Sequence, residues 1–184
     1  GTAQGGTGSR AYCRPGTCQG IAVGGIAVYQ RVTSVAEPLV RLYLRLRLRR
    51  GKEDPLRLAE RRGIASAPRP RGSVIWLHAA SVGEAQSALA LIERLLRMRD
   101  DVVILVTSGT LTSASLLERR LPDRTIHQYV PVDVRRWVRR FLEHWRPDLA
   151  LFVESEIWPN LVAEAARLGI PLVLVNGRLS TRSF

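Results

Sequence analysis

The chain has 184 residues, of which 46% are hydrophobic and 24% charged. That is enough for one globular domain with a real core, and it excludes a chain disordered throughout. No stretch approaches the roughly 18 uninterrupted apolar residues of a spanning helix, which excludes a polytopic membrane protein.

The net charge of +12 is local. Residues 31–72 carry twelve basic and four acidic side chains, whereas residues 73–184 carry fourteen and twelve. A typical nucleic-acid module would be basic throughout. A short basic region fits a local anionic partner better, either a membrane surface or a phosphorylated substrate.

Residues 1–20 are rich in Gly, Ser and Thr without any period and are expected to be disordered. Cys13 and Cys18 lie here at C-x4-C spacing, with no second pair or nearby His to complete a zinc site. They read as incidental thiols, with a reducing cytoplasm as the default. The apolar run Ile21 to Tyr29 is interrupted by Gly24 and Gly25 and is too short to span a membrane. Residues 1–29 are therefore expected to form a disordered leader.

Residues 38–50 alternate Leu with Arg and fit two periods. At helical spacing Leu39, Leu42, Tyr43 and Leu46 share one face, while Arg41, Arg45 and Arg49 line another. At period two Leu44, Leu46 and Leu48 mimic a half-buried strand. The helix is preferred, because turn signals are absent and an isolated strand has no nearby partner. Such a helix lies in an anionic membrane interface, or packs on its own domain with a solvated arginine face. Residues 51–72 hold three prolines and three glycines and read as a connector with one short helix at Leu56–Arg62. The whole of 30–72 is expected to be a basic, membrane-associating segment plus connector.

From Ser73 the pattern changes. Strands are predicted at 74–78, 102–106, 126–130, 149–153 and 172–175. Helices are predicted between them at 84–98, 112–120, 133–145 and 159–168, with Asp133 as an N-cap and Pro159 in a first turn. This βαβαβαβαβ order predicts a Rossmann-like parallel sheet with helices on both faces over residues 73–184.

Ligands of open parallel sheets bind outside the carboxyl ends of the strands, so the loops there carry the chemistry. They are His78-Ala-Ala-Ser-Val-Gly-Glu84, Thr107-Ser-Gly-Thr-Leu-Thr-Ser113, Glu154-Ser-Glu-Ile-Trp-Pro-Asn160 and Asn176-Gly-Arg-Leu-Ser180. Ser81-Val-Gly-Glu84 matches a capping box, favoured further by the positive end of the helix. Its functional alternative is a general base that takes a proton from an acceptor hydroxyl. Glu154 and Glu156 are either solvated or placed to stabilise a bound substrate. Ser108, Gly109, Thr110, Thr112 and Ser113 are a weak anion cradle, since Ser/Thr caps are common. His78 reads as a satisfied buried histidine, and His127 and His144 have no partners by spacing. No G-x-G-x-x-G, P-loop, G-x-S-x-G or metal motif is present.

The first, third and fourth of these loops closely resemble the N-terminal half of the 3-deoxy-D-manno-octulosonic acid (Kdo) transferases. Arg57 with Glu60-Arg-Arg-Gly63 is similar to a basic E-R-x-G motif of that family, and residues 38–50 fall where it has a membrane-associated segment. The resemblance covers roughly residues 30–184. It implies a GT-B glycosyltransferase of lipopolysaccharide biosynthesis that moves Kdo from CMP-Kdo to a hydroxyl of a lipid A precursor. The resemblance further implies transfer with inversion, without an obligatory metal or other cofactor, at the cytoplasmic face of the bacterial inner membrane. No nucleic acid partner is expected. It also implies that Glu84 is the base and that Glu154 assists in the transition state. Ser81, Gly83, Asn160, Asn176 and Arg178 are assigned to substrate binding by the same resemblance.

Two departures stand out. Thr112 is followed by Ser113 where the family has Thr-Gly. The family's proteins also continue for about another domain, which holds most CMP-Kdo contacts. The chain alone is thus expected to bind acceptor weakly without turnover. The competing readings are a Rossmann-like module that attaches to an anionic membrane or nucleic acid, and a GT-B transferase using another nucleotide sugar.

Overall fold

A computed structural model describes residues 22–153 and 158–175. Two helices, α1 (Ala22–Val35) and α2 (Glu37–Arg49), precede the connector. Then follow β1 (Ser73–Ala79), α3 (Val82–Met98), β2 (Val102–Ser108), α4 (Leu111–Arg120), β3 (Thr125–Tyr129), α5 (Arg135–Trp145), β4 (Leu149–Val153), α6 (Pro159–Arg167) and β5 (Leu172–Val175). All strand pairs are parallel, in the order β3-β2-β1-β4-β5. The expected Rossmann-like α/β sheet is present, with β1 at its centre.

The apolar runs explain why these strands take the middle. Strand side chains alternate between faces, so a strand covered on both sides must be apolar at nearly every position. On one face Val74, Trp76, Leu105, Ala150 and Phe152 pack against Val138, Phe141, Leu142 and Trp145 of α5 and Leu161 and Ala165 of α6. On the other, Leu77, Ala79, Ile104, Val106 and Leu151 pack against Ala85, Ala88, Leu89 and Ile92 of α3 and Leu117 of α4. The Trp76 ring meets Phe141 and Phe152 edge-on at 5.0 and 5.2 Å. Both buried indoles of this face find acceptors, Trp76 on Thr107 Oγ1 and Trp145 on Gln128 Oε1, each at 2.8 Å. That removes the cost of burying an unpaired N–H.

Three expectations are corrected. The first concerns the leader, expected to be disordered to residue 29. Helix α1 begins at Ala22 and is fastened to the sheet domain, the Tyr29 hydroxyl donating to Asp133 Oδ2 at 3.0 Å. The distant carboxylate that holds it, 104 residues away, has no trace in local periodicity. Residues 1–21, with both cysteines, lie outside the described residues.

Second, residues 37–49 are helical, as preferred, but the buried side is not the face that spacing picked out. Leu44 is buried against Val134 and Trp137, with Val40 one turn back beside it. Leu39, Leu42, Tyr43 and Leu46 are 70, 52, 55 and 41% exposed. The helix packs on its own domain and still presents an apolar row outward. Among the described residues no helix is long and apolar enough to cross a membrane.

Third, Asp133 does not cap its own helix, which begins after Val134 without a side-chain cap. Its carboxylate instead accepts from the backbone N–H groups of Asn160 and Leu161, at 3.1 and 3.0 Å. Those are free donors of the first turn of α6, so Asp133 caps a neighbouring helix in trans.

The connector is held by side chains rather than by regular structure. Its only helical turn is a 3-10 turn at Glu60–Arg62, ended by Gly63 at φ +72°. A β-carbon there would lie 2.0 Å from the Trp137 carbonyl oxygen, so both the backbone angle and the space demand glycine.

Candidate active site

The order of the strands defines the crevice. The chain runs outward from β1 to β2 and β3, then returns to the other side of β1 for β4 and β5. The reversal falls between β1 and β4, and in such sheets it opens a cleft at the carboxyl ends of those two strands. The loop carrying Ser81 and Glu84 follows β1, and the one running from Glu154 to Asn160 follows β4.

Ser81 is the N-cap of α3, and its Oγ accepts from the Glu84 N–H at 3.3 Å. The Glu84 carboxylate folds back over the cap. Oε1 accepts from the Ser81 hydroxyl and Oε2 from the Ala80 N–H, both at 2.8 Å. The capping box therefore forms, with its return bond reaching one residue before the cap. Glu84 is only 8% exposed. Its carboxylate is held in one pose at the positive end of a 17-residue helix, and each oxygen has a second lone pair beyond the bond it accepts. Gly83 is exposed, and a β-carbon there would meet nothing within 4 Å.

The loop after β2 is committed to local bonds. Thr110 caps α4 by accepting from the Ser113 N–H at 3.1 Å, and the two hydroxyls pair at 2.7 Å. Ser113 is fully buried. The Ser108 hydroxyl is engaged by His127 Nε2 at 2.9 Å. Of the hydroxyls proposed as an anion cradle, only Thr112 is left exposed without such a bond. Gly109 backs closely onto the first loop: a β-carbon on it would lie 3.0 Å from the Ala80 carbonyl oxygen.

A network of charges unreadable from local spacing lies behind these loops. Arg57 donates to Glu60, to Glu118, and to the carbonyl and Nδ1 of His127. Since Nδ1 accepts from a guanidinium, the His127 proton sits on Nε2 and points at Ser108. Burial, reinforced by the charges of Arg57 and then Arg61, lowers the His127 pKa to about 3, so the ring is neutral. The Glu60 carboxylate also accepts from the Tyr129 N–H at 2.6 Å, and the Arg57 and Arg61 guanidinia each stand 4.8 Å from the Tyr129 ring centre. The i,i+3 spacing of Arg57 and Glu60 was the one local hint; His127 lies 70 residues away. His78 is buried as expected, bonded to Thr107 Oγ1 at 2.9 Å, with its pKa lowered by burial to about 4.

Asn160, assigned to substrate, is fully buried under the site rather than exposed in it. Its Nδ2 donates to the Asp133 carbonyl at 2.5 Å and to Thr33 Oγ1 of α1 at 3.1 Å. Its Oδ1 has no partner among the described residues. Asn160 thus joins α6, the loop after β3 and α1. Tyr29, at the same junction, has its pKa raised to about 12 by burial and the Asp133 carboxylate. Glu154, Glu156, Asn176 and Arg178 lie outside the described residues.

The fold and this crevice define a Rossmann-like α/β domain with its cleft at the carboxyl ends of β1 and β4. Residues 56–184 match the family described as 3-deoxy-D-manno-octulosonic-acid transferase (kdotransferase), and the chain belongs to that family. It is 41% identical over 157 residues to the Arabidopsis thaliana protein named probable 3-deoxy-D-manno-octulosonic acid transferase, mitochondrial, covering 85% of this chain and 35% of that protein. It is 40% identical over 157 residues to 3-deoxy-D-manno-octulosonic acid transferase of Rickettsia bellii, covering 85% of this chain and 37% of the relative. The corresponding Haemophilus influenzae protein is 34% identical over 158 residues, 84% of this chain and 36% of its own length. The chain therefore spans little more than a third of the length of these relatives.

Proposed function

We propose that this chain is the acceptor side of an inverting Kdo transferase, with Glu84 as general base. The observation that carries the reading is the Glu84 carboxylate, held by Ala80 and Ser81 at the crevice beside the central strand. A hydroxyl of a lipid A precursor loses its proton to Glu84 as its oxygen attacks the anomeric carbon of CMP-Kdo. The new C–O bond forms as the bond to the CMP phosphate oxygen breaks, from the opposite side, which inverts the centre. CMP leaves with the electron pair. Glu154, next in sequence after β4, assists charge development in the transition state. The remaining motif residues Ser81, Gly83, Asn176 and Arg178 act at substrate on this reading. Ser81 does so while also setting the pose of Glu84.

Lipid attachment completes the reading. The outward apolar residues Leu39, Leu42, Tyr43 and Leu46, beside the exposed Arg45 and Arg49, suit the headgroup region of an anionic bilayer. On this reading the enzyme works at the cytoplasmic face of a bacterial inner membrane, in lipopolysaccharide biosynthesis. The test is Glu84→Gln in the transferase containing these residues. The amide keeps an oxygen for the Ala80 N–H but cannot take the proton. Transfer should fall by at least about 100-fold with the fold intact. Transfer at the unsubstituted rate would leave Glu84 as a capping residue only.

A further inference from the structure

We infer that Arg61 is a positioning residue for the Glu84 loop, acting through Gly109; the inference rests on the reading of Glu84 as base. Arg61 is 6% exposed, and its acid partner Glu53 is 5% exposed. A buried ion pair of this kind contributes little net stability compared with an apolar pair of equal size. What Arg61 adds is geometry. Its Nε donates to Glu53 Oε2 at 2.9 Å, Nη1 to the Val130 carbonyl at 3.3 Å and Nη2 to the Gly109 carbonyl at 2.5 Å. Its own carbonyl accepts from the Val132 N–H at 2.9 Å. One residue of the connector therefore holds the loops after β2 and β3 at once.

The hold passes on to the loop after β1 by contact. Gly109 has no side chain, and its backbone lies against the Ala80 carbonyl closely enough that a β-carbon would stand at 3.0 Å. Ala80 in turn donates to Glu84 Oε2. The path is Arg61, Gly109, Ala80, Glu84. Glu53 fixes its start, with Arg47 of α2 on the other carboxylate oxygen at 2.6 Å. The three bonds of Arg61, to Glu53, Val130 and Gly109, require a planar fork whose donors point three ways. A lysine has one nitrogen and cannot reach Glu53, Val130 and Gly109 together.

The experiment reads amide exchange on this chain. Arg61→Lys should speed exchange of the Ala80 amide by at least about tenfold, while the central Leu105 and Ala150 amides stay within about twofold. Gly109→Ala leaves Arg61 in place and strains the same contact from the other side. It should give the same signature, and it keeps the proposal open to refutation if the lysine variant does not fold. Ala80 exchange within about twofold of the unsubstituted chain in both variants would overturn the inference. In the transfer assay Arg61→Lys should lower kcat at little-changed acceptor KM; loss confined to the yield of folded protein would overturn it too. The two readings fail separately. If Glu84→Gln retains transfer, the base assignment falls while the exchange result stands. If transfer is lost there but Ala80 does not respond to Arg61, only the positioning role falls.

Discussion

Asn160→Ala separates a structural junction from a substrate contact. The side chain has two hydrogen bonds, to the Asp133 carbonyl and Thr33 Oγ1, in a fully buried position. Each contributes about 1 kcal/mol, and the abandoned carbonyl adds a further desolvation cost of about 1–3 kcal/mol. Removing the amide oxygen, which has no partner among the described residues, recovers part of that. The net loss is about 2–3 kcal/mol, or roughly 5–10 °C in Tm for a domain of this size. Asn160→Asp should be worse, since it sets a carboxylate against a carbonyl and near the Asp133 carboxylate. Thermal unfolding by circular dichroism gives the Tm, and hydrogen exchange over residues 25–35 reports whether α1 loosens through its lost Thr33 bond. An unchanged Tm with unchanged α1 exchange, combined with weakened acceptor binding, would refute the reasoning and return Asn160 to the substrate site.

Two further outcomes follow from burial. His78 is 2% exposed with its pKa lowered to about 4, against about 6.5 in an unfolded chain. Below pH 6.5 the unfolded state takes up a proton that the native state refuses, so stability is held above that pH. It is lost as pH falls toward 4, at up to about 1.4 kcal/mol per unit. His127 acts in the same direction. Urea midpoints at pH 7.5 and 5.0 should show the drop, and a His78 ring titrating near 6.5 by NMR in the folded protein would contradict it. On α2, Leu42→Glu with Leu46→Glu should leave stability within about 0.5 kcal/mol, because both positions are exposed. Co-sedimentation with phosphatidylglycerol vesicles should fall at least severalfold; sedimentation unchanged would remove lipid contact from the function.

Much of this protein was legible as pattern. Val102 to Val106 is a continuous apolar run because β2 is covered on both faces, and any such run in a βα alternation has to enter a parallel sheet. Ser81 and Glu84 announce a helix start three residues apart, since a cap needs only its own first turn. The family motif from His78 to Glu84 follows β1, at the carboxyl end of the central strand where the strand alternation puts it. All of these are short-range signals, carried by the periods of strand and helix or by a single turn.

Tertiary structure decided what those residues do there. Asn160 stands in a family motif, yet its amide is spent on Asp133 and Thr33, 27 and 127 residues away. Helix periodicity gave α2 a choice of sides, and the position of Trp137 and Val134 selected Leu44 and Val40. Asp133 has the residue type and placing of a cap for its own helix, but its carboxylate accepts from the free N–H groups of α6. Arg57, Glu60 and Arg61 read only as part of a short connector helix and a basic motif, and the fold pairs them behind the crevice, with Glu60 1% exposed. The physical reason is the same in each case. Periodicity reports which side of an element is apolar, whereas a buried polar group takes the partner that folding brings within 3 Å, and that partner can come from anywhere along the chain.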